Sequence, residues 1–192
     1  MRLFIAVHPP PDVQRIAHRA AASLRTSQET VSWVKSADLH YTMRFLGECD
    51  AAAEQGAREA MRVAAAAHVR FGAALGGFGA FPTAKRARVL WLGLLQGAEP
   101  MRLLATSLEE ALVAQGFERS DELFEPHLTV GRVRTPSDWT GPLIEATTPE
   151  ARFQVDRLSL VRSVLAQGGA RHETIAVAGL AEQPSATLPR QP

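Results

Sequence analysis

What most constrains the fold of this chain is a helix–strand unit that occurs twice, with a histidine and a threonine two residues apart near the start of each strand. In the first copy an apolar-periodic helix, VQRIAHRAAASLR, opened by the prolines and Asp12, leads to the predicted strand LHYTMRFLG (39–47). His40 lies 16 residues after Leu24. In the second copy the helix AEPMRLLATSLEEALVAQ (98–115), ended by Gly116, leads to FEPHLTVGRV (124–133), with His127 15 residues after Leu112. The copies stand 87 residues apart, and each carries an arginine and a glycine soon after the motif: Arg44 and Gly47, then Gly131 and Arg132. Such spacing is a faint internal repeat. A length of 192 residues accommodates it as one large domain or two small lobes.

The remaining elements follow from periodicity and breakers. RLFIAV (2–7) and VSWVK (31–35) are predicted strands, and the alanine-rich 51–68 is a predicted helix with Gly56 its weak point. A glycine-rich strand (71–82), a basic turn TAKRA and the strand RVLWLGL (88–94) come next. Residues 135–149 are predicted mostly as loop. FQVDRLSLVRSVL (153–165) and HETIAVAGL (172–180) form a last hairpin with Gly168–Gly169 as its turn. The tail from 181 to 192 has the composition of disorder. Strands alternating with three helices give an α/β or α+β class with mixed sheets, a single domain spanning 1–180.

Composition narrows the function classes. A formal net charge of +1 does not mark a general nucleic-acid binder, so attraction for phosphate must come from where the arginines sit. Cys49 is the single cysteine, which excludes an internal disulfide and a cysteine-based zinc site. The start, MRLFIAV, runs at once into HPPPD and does not resemble a signal peptide, and no apolar run reaches the roughly 18 residues a membrane span needs. A cytoplasmic monomer is expected.

Six histidines and twelve threonines placed at random would give about 0.4 His-x-Thr pairs; three occur, at His40–Thr42, His127–Thr129 and His172–Thr174. His172 leaves a glycine hairpin with no preceding helix and is the weaker candidate. Alternation along a strand puts His40 and Thr42 on one face and Tyr41, Met43 and Phe45 on the other. Two such strands facing each other bring two imidazoles and two hydroxyls together. One neutral imidazole can then take a proton while a protonated one gives a proton to a leaving group. Threonine hydroxyls can hold the phosphate oxygens, and no metal or other cofactor is required. A dinuclear metal site is disfavoured because His-x-Thr lacks carboxylates at ligand spacing. Strict alternation puts Arg44 on the face of His40, and puts Arg132 opposite His127 unless Gly131 permits a bulge. Phe45, Trp91 and Phe124 are read as core, Lys85, Arg86 and Arg88 as a solvated hairpin, and His8, His18 and His68 as structural.

LHYTMRFLGE and FEPHLTVGRVR resemble the duplicated His-x-Thr-x motif of the two-histidine phosphoesterase superfamily, and most closely its bacterial RNA 2′,3′-cyclic phosphodiesterases, also called 2′-5′ RNA ligase-like proteins. RLFIAV, VSWVKSADLHYTMRFLGE, GGFGAFPTAKRARVLWLG and LSLVRSVLAQGGARHETIA are similar to further blocks of that family, in family order. The resemblance implies two pseudo-symmetric lobes of mixed or antiparallel sheet with helices outside and a central cleft. It implies His40 as proton donor, His127 as proton acceptor, and Thr42 and Thr129 on the phosphate; Arg44 and Arg132 are further substrate-binding candidates on the strand geometry above. The implied partner is an RNA 3′ end or a small cyclic-phosphate nucleotide. Two rivals are a diesterase for another cyclic phosphate or a 2′-5′ oligonucleotide, and a non-catalytic RNA-end binder. His172 stands where the family commonly has tyrosine.

Overall fold

The computed structural model describes residues 1–25, 31–166 and 169–182. Nine strands form one sheet: β1 (Arg2–Val7), β2 (Val31–Trp33), β3 (Tyr41–Glu48), β4 (Phe71–Phe81), β5 (Ala87–Gln96), β6 (Leu128–Ser137), β7 (Arg152–Val155), β8 (Arg157–Ala166) and β9 (Gly169–Gly179). Its order is β7-β4-β5-β6-β3-β1-β8-β9, with β2 paired to β6, and all these strand pairs are antiparallel rather than mixed. Among the described residues four α-helices accompany it: α1 (Pro11–Ala21), α2 (Ala51–Ala66), α3 (Ala98–Ala114) and α4 (Thr140–Glu145).

The helices form where their sequences allow a start and a buried stripe. Pro11 opens α1 at a position where its missing N–H costs nothing, and Val13, Gln14, Ala17 and Ala21 face inward. Asp50 caps α2 by accepting the Ala53 N–H at 2.8 Å, and Ala57, Ala60, Met61 and Ala64 form its buried stripe. In α3 the stripe is Met101, Leu104, Leu108 and Leu112. Gly116 lies just beyond α3 at φ +89°, a backbone that suits glycine. Alternation in β1 separates two faces. Leu3, Ile5 and Val7 join the core under the helices, whereas Phe4 and Ala6 pack with Val161 on the opposite face.

Two four-stranded halves, β7-β4-β5-β6 and β3-β1-β8-β9, meet at β3 and β6. One residue pair joins them: Tyr41 opposite Leu128. These are the central residues of the two His-x-Thr motifs.

Three expectations need correction. The stretch 153–165 is not one strand, because Asp156 separates β7, which pairs with β4 at one end of the sheet, from β8, which pairs with β1 and β9 near the other. Asp156 binds Arg157 at 2.8 Å and its carbonyl accepts the Leu180 N–H, which fixes the break. Residues 135–149 are not mostly loop: β6 runs through Ser137 and α4 follows, its start anchored where the Trp139 N–H donates to the Ala84 carbonyl at 2.8 Å. The motif strands start later than their apolar runs, at Tyr41 and Leu128, so both histidines sit just before their strands. Gly168 of the expected hairpin turn, and the tail from 183 onward, lie outside the described residues.

Candidate active site

Antiparallel pairing of Tyr41 with Leu128 sets His40 beside Thr129 and Thr42 beside His127 on the face away from the helices. The four side chains therefore stand at the corners of a rectangle about the joint between the halves. The two histidines occupy its diagonal, for which strand geometry gives a Cα separation of about 7–8 Å and a somewhat smaller Cβ separation. His40, Thr42 and Thr129 line a cavity of about 250 Å³. Thr42 also lines an adjoining groove of about 820 Å³, on whose wall His127 lies.

Both imidazoles are oriented alike. His40 Nδ1 lies 2.7 Å from the Asp38 carbonyl, and His127 Nδ1 lies 2.8 Å from the Glu125 carbonyl, in each case the residue two before the histidine. A carbonyl only accepts, so Nδ1 carries the proton in both rings and Nε2 is left as the acceptor nitrogen. Each ring also meets a phenylalanine: Phe4 stacks on His40 at 4.9 Å, and Phe81 meets His127 edge-on at 5.0 Å. Gln14 of α1 donates to the Leu39 carbonyl at 2.8 Å in a buried bond, which pins the backbone immediately before His40.

Identical bulges follow the two motifs. Ala6 faces Thr42 while Ile5 faces Arg44, so Met43 is an extra residue in β3. Trp91 faces Thr129 while Leu90 faces Gly131, so Val130 is an extra residue in β6. Met43 and Val130 are buried, as alternation from Tyr41 and Leu128 already requires, so what each bulge changes is the face taken by the residues after it. Beyond it the alternation is inverted: Phe45 and Arg132, themselves 87 residues apart, are the positions that return to the cleft face.

The two arginines are placed accordingly. Arg132 lines the cavity with His40, Thr42 and Thr129 and has no hydrogen-bond or ion-pair partner among the described residues. Arg44, expected on the His40 face, turns to the helix side, where Nε binds Glu109 of α3 at 2.9 Å and a terminal nitrogen donates to the Glu118 carbonyl at 2.6 Å. Phe45, read as core, is 63 % exposed and lines the cavity. Trp91 instead lies against Gly79 and Phe81, and Phe124 is half-buried on the groove wall beside His127.

The sequence reading missed part of the surroundings of His40. His8, taken as structural, lies 5.7 Å from the His40 ring, and His172 meets that ring edge-on at 5.4 Å. Burial lowers the His40 pKa to about 4, with charge repulsion from His8, His172 and Arg132 adding to it and the Asp38 carbonyl opposing. His8 is lowered by burial and then by His172. RLFIAV is apolar at every position from Leu3 to Val7, so nothing local in it marks β1 as bordering the site. His68 is structural, bonded to Ser107 at 2.8 Å.

Comparison with known proteins supplies the family. Residues 9–166 match the model of the 2′-5′ RNA ligase superfamily. RNA 2′,3′-cyclic phosphodiesterases of Archaeoglobus fulgidus and Methanothermobacter thermautotrophicus are 32% and 31% identical, over 92% and 88% of this chain and 99% and 93% of theirs. Among solved structures, a Thermus thermophilus protein aligns with a TM-score of 0.80 at 26% identity, covering 96% of this chain and all of that one. Escherichia coli LigT in complex with 3′-AMP aligns with a TM-score of 0.78, also at 26% identity, covering 94% and 98%. The chain belongs to the 2′-5′ RNA ligase superfamily of two-histidine phosphoesterases.

Proposed function

We propose that this protein is an RNA 2′,3′-cyclic phosphodiesterase that opens the terminal ring by acid–base catalysis from His40 and His127. The observation that carries the reading is the rectangle of two histidines and two threonines about the Tyr41–Leu128 joint, with both Nδ1 atoms committed to backbone carbonyls. Water attacks phosphorus while His127 Nε2 takes its proton. The P–O3′ bond breaks as His40 Nε2 gives a proton to O3′, leaving a 2′-phosphate. The Thr42 and Thr129 hydroxyls and the Arg132 guanidinium hold the non-bridging oxygens, and no step calls for a metal.

Burial keeps His40 neutral near pH 7 in the free protein, because its pKa lies near 4. A phosphodiester anion placed beside the ring favours the imidazolium, so His40 acquires its catalytic proton with substrate. The same arrangement, with a 2′-hydroxyl in place of water, joins two RNA ends through a 2′-5′ bond. The relatives' names and the LigT complex with 3′-AMP support a nucleotide occupant.

The test is hydrolysis of a short RNA ending in a 2′,3′-cyclic phosphate, in excess chelator, with the product typed. A 2′-phosphate formed at an undiminished rate supports the reading. A 3′-phosphate product, or a reaction abolished by the chelator, contradicts the roles given. Tight binding of the RNA with no turnover favours an RNA-end binder.

A further inference from the structure

The cavity at His40 does not end there. It continues along β1 to Arg2, Ser163 and His172. These three are direct cross-strand neighbours, Arg2 opposite Ser163 and Ser163 opposite His172, and so form a row across β1, β8 and β9. The next row, Phe4 and Val161, separates it from Ala6 and Thr42. His172 meets both Phe4, at 5.2 Å, and His40. Neither the Ser163 hydroxyl nor the His172 ring nitrogens have a hydrogen-bond partner among the described residues. Their neighbours Arg162 and Glu173 bind each other at 2.5 Å.

Charge divides the cleft in two. Around the cavity stand the guanidinium groups of Arg2 and Arg132, with Asp38 the one lining carboxylate among the described residues. Glu48 lies 3.7 Å from Arg2 but is shared with the Met1 amino group at 3.3 Å. Beyond Thr42 and Phe45 the groove beside His127 has the opposite sign. Apart from the Arg44–Glu109 pair and Glu125, which Arg102 binds at 2.9 Å, it presents Glu118, Asp121 and Glu122 against the Arg119 guanidinium. A polyanion seated at His40 is attracted along one arm and repelled from the other.

We propose that Arg2, Ser163 and His172 form a subsite for the phosphodiester immediately 5′ of the cyclic phosphate, so that the enzyme prefers oligonucleotide ends to cyclic mononucleotides. The inference rests on the active-site reading above. Arg2 supplies the charge, and Ser163 and His172 supply hydrogen bonds to the non-bridging oxygens. The RNA leaves the site over β1, β8 and β9, and the acidic groove takes no phosphate.

The test compares kcat/KM on 2′,3′-cyclic AMP with that on ApA ending in a 2′,3′-cyclic phosphate, for wild type, Arg2→Ala and His172→Gln. Arg2 and His172 are both exposed, and the salt dependence of the wild type needs no variant at all. The expected wild-type preference for the dinucleotide is about tenfold, the usual size of one charge-assisted contact. It should shrink in both variants. The salt slope for the dinucleotide should be steeper by about 0.7 in log–log terms, one extra phosphate being neutralised. Equal kcat/KM and equal salt slopes on the two substrates overturn the subsite while leaving the active-site reading intact. Variants that slow both substrates by one factor also overturn it, since the residues would then act through His40. Hydrolysis of neither substrate overturns the active-site reading and the subsite together.

Discussion

Replacing His40 with glutamine removes an ionisation that burial makes costly, and should flatten the dependence of stability on pH. An imidazole titrates at 6.5 in the unfolded chain and near 4 in the folded one. At 1.36 kcal/mol per pH unit that gap is worth about 3 kcal/mol. The sign follows from which state holds the proton. Above pH 6.5 neither state binds it, and the wild type has its full stability. Between 6.5 and 4 the unfolded chain is protonated at this site and the folded one is not, so stability falls as pH falls. Below 4 both are protonated and the loss is complete. Glutamine can still donate to the Asp38 carbonyl but cannot titrate. Urea denaturation of both proteins between about pH 7.5 and pH 4, without phosphate, isolates the difference. Carboxylates such as Asp156, held low by the hydrogen bond from Arg157, contribute equally to both and cancel. Wild type should lose about 3 kcal/mol more than the variant across that window. Parallel profiles would refute the claim that the folded protein holds His40 neutral.

Three further outcomes follow from particular contacts. In activity, the acid limb of kcat/KM should bend near pH 4, the value to which burial lowers His40, because a second proton on the pair leaves no base; a limb near 6.5 would mean a solvated ring. Arg132→Ala should lower kcat/KM by about 10–100-fold, as for one lost charge-assisted bond, with little change in stability. Arg44→Ala should instead cost about 1–3 kcal/mol in urea denaturation through its lost bonds to Glu109 and the Glu118 carbonyl.

The sequence carried the chemistry of the site further than its geometry. Period-two and helical patterns located β1, β4, β5 and the first three helices, because each has an apolar face long enough to register. Two His-x-Thr motifs behind two helices singled out the segments that meet at the Tyr41–Leu128 joint. Strict alternation failed after the motifs, because Met43 and Val130 are buried as bulges, and a bulge is set by packing against neighbouring strands. That one extra residue exchanges the places expected for Arg44 and Arg132, though Gly131 hinted at it. Asp156 falls inside the run 153–165 that reads as one strand; only long-range pairing shows that it divides strands lying near opposite ends of the sheet. His8 and His172 come to His40 from β1's end and from β9, and no local pattern joins them.

The account rests on two imidazoles acting as one unit across the Tyr41–Leu128 joint. Its most direct test is the rate of cyclic-phosphate opening in His40→Ala, His127→Ala and the double variant, on the same RNA. Each single change should cost about 10²–10⁴-fold, and the double variant should fall little further, because neither proton transfer completes without the other. A single variant retaining activity within about tenfold of wild type would contradict the account, as would losses that multiply in the double variant.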